Sequence, residues 1–108
     1  KTVGLAEPLR EALAPLAARI RAAFVYGSIA KREDTASSDI DLMLIGDADF
    51  AEVIRVLYPL QERLGREINP KTYRRAEWRA LTEQQGAFIR EILIKPKLFV
   101  MGSEADLV

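Results

Sequence analysis

Val25-Tyr26-Gly27-Ser28, ten further residues, and then Asp39-Ile40-Asp41-Leu42-Met43-Leu44-Ile45-Gly46 form the stretch on which the fold of this chain turns. From Asp39 to Ile45 the residues are apolar except for two carboxylates at alternate positions. Successive side chains of a strand face opposite ways, so a strand here turns Asp39 and Asp41 together to one side while Ile40 and Leu42 point into a core. Ala22 to Tyr26 is a short apolar run of β formers that ends abruptly at Gly27, the pattern of a buried strand. The short connection from Tyr26 to Asp39, polar from Lys31 to Ser38, leaves open whether the two strands run parallel or antiparallel.

Two carboxylates held this close repel each other, and the repulsion is relieved by raising one pKa or by binding a divalent cation. Hard oxygen ligands in a chain with no His and no Cys select Mg²⁺ or Mn²⁺, or Ca²⁺, over zinc. Taken alone, D-x-D is more often a solvated strand end. Gly27-Ser28 changes that balance, because glycine at a strand end permits close backbone approach, and exposed amides with a hydroxyl hold phosphate oxygens. A helix beginning near Ile29 would add an anion-favouring N-terminal dipole, and Lys31 and Arg32 add positive charge. A phosphate cradle beside paired carboxylates suits metal-assisted phosphoryl or nucleotidyl transfer.

On the N-terminal side, Leu5, Leu9, Leu13, Leu16 and Ile20 repeat at helical spacing. Pro8 fits the first turn of that helix, and Pro15 predicts a break. On the C-terminal side, Asp47 or Asp49 caps a helix whose stripe is Phe50, Val53, Ile54, Leu57, Leu60 and Leu64, bent at Pro59 and stopped by Gly65. Glu67-Ile68-Asn69 reads as a short strand closed by Pro70. Ala76 to Leu81 and Glu83 to Ile94 read as helices, Lys97 to Met101 as a last strand, and the acidic tail after Gly102 as a fraying end. This order implies an α/β or α+β fold: a mixed sheet of about four strands flanked by helices, with residues 1–108 forming a single domain.

Composition narrows the possible functions. At 108 residues, with 49% hydrophobic and 30% charged, the chain is a folded domain rather than a disordered segment. Sixteen basic residues cancel sixteen acidic ones, so no overall field holds the molecule on DNA or an anionic membrane. Without His or Cys, a zinc site of the usual kind, a Cys nucleophile and imidazole catalysis are all excluded. There is no membrane-length apolar run and no signal peptide, and the expected residence is cytoplasmic. Lys1 in place of Met implies a piece of a longer natural chain. The charges are unevenly placed. Residues 1–32 carry six basic and two acidic groups, residues 33–67 three and nine, and residues 68–108 seven and five, for net charges of +4, −6 and +2.

Val25-Tyr26-Gly27-Ser28, ten residues and Asp39-Ile40-Asp41-Leu42 resemble the signature of the polymerase-β-like nucleotidyltransferase superfamily: a hydrophobic residue, Gly-Ser, a spacer, then Asp-hydrophobic-Asp. Ser38 before Asp39 and the Ala30-Lys31 step resemble its minimal members, of the antitoxin and aminoglycoside types. The resemblance implies that Gly27 and Ser28, with Lys31 and Arg32 nearby, contact a nucleoside triphosphate. It also implies that Asp39 and Asp41 bridge two Mg²⁺ ions, Mn²⁺ being possible, and that a third acid on a neighbouring strand completes the metal site. Glu67 is the candidate for that acid, in catalysis and as a ligand. Arg66, where the pattern has an apolar residue, and Arg32, where related proteins often have Gly, depart from it. The implied reaction is transfer of NMP, by family habit AMP from ATP, to an acceptor hydroxyl with release of pyrophosphate. The alternative is a non-enzymatic sensor or partner-binding domain of a DNA-binding regulator or a toxin–antitoxin pair. Implied partners are the nucleotide, an unidentified acceptor, and a second copy or a helical protein. No membrane is implied, and DNA is contacted only through a segment outside this chain. Tyr73 and Trp78 read as packing residues rather than base-stacking ones.

Overall fold

Leu5, Leu9 and Leu13 form the buried stripe of helix α1 (Val3–Leu13) in a computed structural model that describes residues 3–27 and 39–107. Pro8 lies within this helix, past its first turn. At Pro15 the α-helix gives way to a 3-10 segment, Ala14–Arg19, because proline removes a hydrogen-bond donor the α-helix needs. The chain then extends into β1 (Ile20–Tyr26), two residues earlier than the apolar run suggested. β2 (Ile40–Gly46) follows, then helix α2 (Phe50–Leu64). Asp49 occupies the N-cap of α2 but makes no side-chain cap bond, and Gly65 ends the helix in the left-handed conformation with φ 63. Pro59 sits inside α2 without interrupting it.

β3 (Ile68–Tyr73) runs three residues beyond Pro70, where the sequence reading closed it. The reason lies in the sheet order, β3-β2-β1-β4, which puts β3 at an edge, the place in a sheet where proline's missing N–H is tolerated. Helices α3 (Arg75–Gln84) and α4 (Ala87–Ile94) lead to β4 (Leu98–Met101). β1 is antiparallel to both β2 and β4, and β2 is parallel to β3 across the α2 crossover. The fold is therefore α+β, with a mixed four-stranded sheet and four α-helices among the described residues.

Alternation along the strands divides the core in two. Ala23, Val25, Ile40, Leu42, Leu44 and Ile68 pack under α1 and α2. Ala22, Phe24, Met43 and Ile45 pack on the other face with Trp78, Ile89 and Ile92 of α3 and α4. Each fully buried aliphatic or Phe side chain contributes about 1.5–3 kcal/mol. The expected fraying tail is instead an ordered 3-10 turn, Glu104–Leu107. Leu107 is buried in the second cluster and its carbonyl accepts a 3.0 Å bond from the Trp78 indole N–H, while the Lys97 ammonium reaches Glu104 at 3.0 Å. Trp78 is a packing residue, and Tyr73 rests against it with ring centres 6.0 Å apart. Among the described residues, no helix is long and apolar enough to cross a membrane.

Candidate active site

Position along β2 decides what its side chains do. Met43 and Ile45 face the layer beneath α3 and α4, so by alternation Asp39 and Asp41 lie on that same side, at the end of the strand where this layer opens. Asp39 is exposed and Asp41 half-buried. β2 is paired on both sides. Asp41 stands opposite Tyr26 of β1 and level with Asn69 of β3, while the Ile40 N–H donates to the Glu67 carbonyl at 2.8 Å. The acid pair is thus carried by an interior strand that cannot shift without breaking two ladders.

Burial, reinforced by the charge of Asp39, pushes the Asp41 carboxyl above its ordinary range. A hydrogen bond from the Asn69 amide and the charge of Lys71 act the other way. The same amide donates to Asp39 Oδ2 at 3.3 Å. At 3.3 Å this contact is at the weak end of hydrogen bonding, so it offsets little of the repulsion between the carboxylates. Tyr26 is pushed up to about 12 by burial, then by the charges of Asp41 and Tyr73, and stays a neutral phenol.

Gly27 ends β1 with φ 83, and a Cβ there would sit 3.0 Å from Asp41 Oδ2. That approach explains why glycine stands at this position, bringing the β1 end against the carboxylate. Ser28, Lys31 and Arg32, the other residues expected to bind the nucleotide, lie outside the described residues. Glu67 is exposed, one residue ahead of β3. Its carbonyl is tied to β2, but among the described residues no three acids gather as a metal-holding group.

Three neighbours of the acid pair escaped the sequence reading. Asn69 and Lys71 reach it through the parallel register, which pairs Asp41 with Asn69 and Met43 with Lys71. Extending the β3 segment past Pro70 and counting in twos from Glu67 would have placed both. Phe88 of α4 is the third, at one remove, since it meets Lys71 and Tyr26 rather than the acids themselves. The Lys71 ammonium lies 5.2 Å from its ring centre, and the Tyr26 ring meets it edge-on at 6.4 Å. Helical spacing puts Phe88 on an apolar face with Ile89, Ile92 and Leu93, but which part of the sheet that face meets is not written in the spacing.

The donor set is oxygen-only: two adjacent carboxylates whose mutual repulsion is poorly compensated, beside a close-approaching backbone. Such a set fits a divalent, oxygen-seeking cation.

Two proteins of Methanocaldococcus jannaschii, each provisionally named a protein adenylyltransferase, resemble this chain. One is 34% identical over 56 residues, covering 50% of this chain and 60% of that protein. The other is 39% identical over 51 residues, covering 47% and 51%. The chain thus matches little more than half the length of these curated relatives. A crystal structure from Sulfolobus solfataricus, provisionally named a nucleotidyltransferase, shares the fold with a TM-score of 0.52 at 13% identity, over 95% of this chain and 85% of that one. The family model Polymerase beta, Nucleotidyltransferase matches residues 11–104, from the end of α1 to the C-terminal 3-10 turn, and the chain belongs to that family.

Proposed function

We propose that the domain transfers AMP from ATP to a hydroxyl of a protein acceptor. The observation that carries this reading is the pairing of Asp39 and Asp41 on one face of β2, with the Gly27 backbone packed against Asp41. Membership of the nucleotidyltransferase family supports the reaction class, and the names of the two archaeal relatives support adenylate and a protein as donor and acceptor. Asp39 and Asp41 would hold Mg²⁺, with Glu67 as the third acid. Bound there, the metal would supply neutralising charge for the phosphoryl oxygens and would acidify the attacking hydroxyl.

The chain's own residues do the rest. Gly27 lets phosphate oxygens approach the backbone where a side chain would exclude them. The Lys71 ammonium adds positive charge on the same face of the sheet, opposing the repulsion between the acids and the triphosphate. The acceptor oxygen bonds to the α-phosphorus as the bond to the bridging oxygen breaks. Pyrophosphate leaves with the electron pair, and Glu67 accepts the hydroxyl proton. The neutral Tyr26 phenol borders the acids without adding a charge to them.

A second reading, a domain that binds nucleotide or a partner without turnover, is favoured by one observation: an amide, Asn69, rather than an acid stands level with Asp41. Incubation with α-labelled ATP, Mg²⁺ and a lysate of the source cell discriminates between the two. Transfer predicts label on protein, lost in Asp39→Asn with the circular dichroism spectrum unchanged. Label retained in that variant, or no label with the wild type, rejects catalysis by this pair.

A further inference from the structure

On the α3 side of the sheet, at the opposite end of β2 from the acid pair, lies a cavity of about 50 Å³. Its floor is apolar and buried: Ile45 of β2, the Trp78 indole of α3 and Leu107 of the C-terminal 3-10 turn. Around that floor stand three guanidiniums, Arg21 from β1 and Arg75 and Arg79 from α3. Ile45 is four residues along β2 from Asp41, about 13 Å at the usual rise of a strand, so the cavity is separate from the acid pair.

The acid that lines the cavity, Asp106, is already engaged. Its Oδ1 lies 3.1 Å from Arg21 Nε, and its Oδ2 accepts the Ser103 N–H at 2.9 Å. Arg75 and Arg79 have no ion-pair partner among the described residues. Their placement is unfavourable twice over. They stand four residues apart on one helix, where like charges repel, and Arg75 is the first residue of α3, at the positive end of the helix dipole. Three guanidiniums against one carboxylate leave these lining residues at +2. The Thr82 hydroxyl donates to the Arg79 carbonyl at 2.8 Å, so the donors left for a ligand are those of the guanidiniums. An anion between them relieves both costs, and the apolar floor weakens solvent screening from one side.

We propose that this cavity binds a phosphate dianion, free or as the monoester of a small molecule, held by Arg75 and Arg79 beside the anchored Arg21. Charge decides the class. A ligand of charge −2 matches the lining, and phosphate oxygens take the forked N–H pairs of two guanidiniums at once. A single carboxylate would neutralise half of that charge. The site uses none of the residues assigned to the transfer reaction, and it stands whether or not that reaction occurs.

A titration followed by the indole N–H resonance of Trp78, the only indole in the chain, tests this. Inorganic phosphate or ethyl phosphate is added to the full chain at constant ionic strength without Mg²⁺, with chloride as the control. The resonance should move and saturate with phosphate and stay in place with chloride. Arg75→Gln and Arg79→Gln, both at exposed positions, should each weaken binding about tenfold, the scale of one charge-assisted hydrogen bond, with the circular dichroism spectrum unchanged. Asp39→Asn should bind phosphate as wild type does. Saturation by both ligands assigns the site to monoesters, and saturation by inorganic phosphate alone assigns it to the free ion. A shift that never saturates, a matching shift with chloride, or wild-type affinity in the variant carrying both substitutions overturns the proposal. So does loss of binding in Asp39→Asn, which would place the phosphate at the acid pair.

Discussion

Asp41 is the residue at which the geometry of the site meets the stability of the fold. Its carboxyl is raised by burial and by Asp39, so the folded state holds a proton there more firmly than the unfolded state does. Stability from this group is therefore greatest below the ordinary Asp range and declines as pH climbs from that range through the raised value. Asp41→Asn removes the like charge, and at neutral pH it should stabilise the chain by about 0.5 kcal/mol, the scale of an adjacent charge pair on a sheet. Thermal melts should show a midpoint about 2–4 °C higher, with a flatter pH dependence just above pH 4. A lower midpoint would mean that the carboxylate pair is compensated in the fold. Gly27 gives a second residue-scale prediction, with an internal control. Gly27→Ala and Gly65→Ala both place a side chain at positive φ, 83 and 63, and each should cost about 1–2 kcal/mol in urea denaturation. Only at Gly27 does the new Cβ meet Asp41, whereas at Gly65 nothing lies within 4 Å. Loss of ATP affinity should follow Gly27→Ala alone; equal loss in both variants would separate Gly27 from the site. Asp39, Asp41 and Gly27 could be picked out as candidates from spacing because alternation along β2 and a glycine at the end of β1 are local signals. Asn69 and Lys71 needed more than spacing, the continuation of β3 past Pro70 and its register beside β2, and Phe88 needed the docking of α4 on the sheet.

Among the elements, β2 and α2 were legible because each carries its own periodicity, two in the strand and 3.6 in the helix, and a glycine marks the end of each. The errors fell where a neighbour overrides local chemistry. Pro70 stops a strand that needs a ladder bond from its nitrogen, but β3 is an edge strand, so it continues to Tyr73 and carries Lys71 beside the acids. The tail after Gly102 is short, acidic and aperiodic, which in isolation means fraying. Leu107 and the indole of Trp78 fix it through one buried contact between residues far apart in sequence. Trp78→Phe keeps most of the apolar bulk and removes only the donor, so it should cost about 1 kcal/mol and expose the tail to a protease. A melt lowered by about 4–8 °C together with earlier C-terminal clipping would bear this out. Clipping at the wild-type rate would mean that the ion pairs Lys97–Glu104 and Arg21–Asp106 hold the tail without the indole.

At the scale of the molecule, the sheet is the wall common to two apolar layers, and every buried residue of β1 and β2 is committed to one layer or the other. Leu44 faces α1 and α2, while its strand neighbours Met43 and Ile45 face α3, α4 and Trp78. The acid pair belongs to the same strand, so what holds the site in shape is not confined to the layer in which it opens. Loosening the far layer should release β2 and the near layer with it. Leu44→Ala leaves a cavity on the α1–α2 side and should cost about 3 kcal/mol. The sole tryptophan reports from the opposite side, at Trp78. If the sheet couples the layers, indole fluorescence and far-ultraviolet circular dichroism should give the same urea midpoint in the variant, shifted equally from wild type. A fluorescence midpoint left at the wild-type position while the dichroism midpoint falls would show two layers melting separately. The site would then draw its rigidity from α3 and α4 alone.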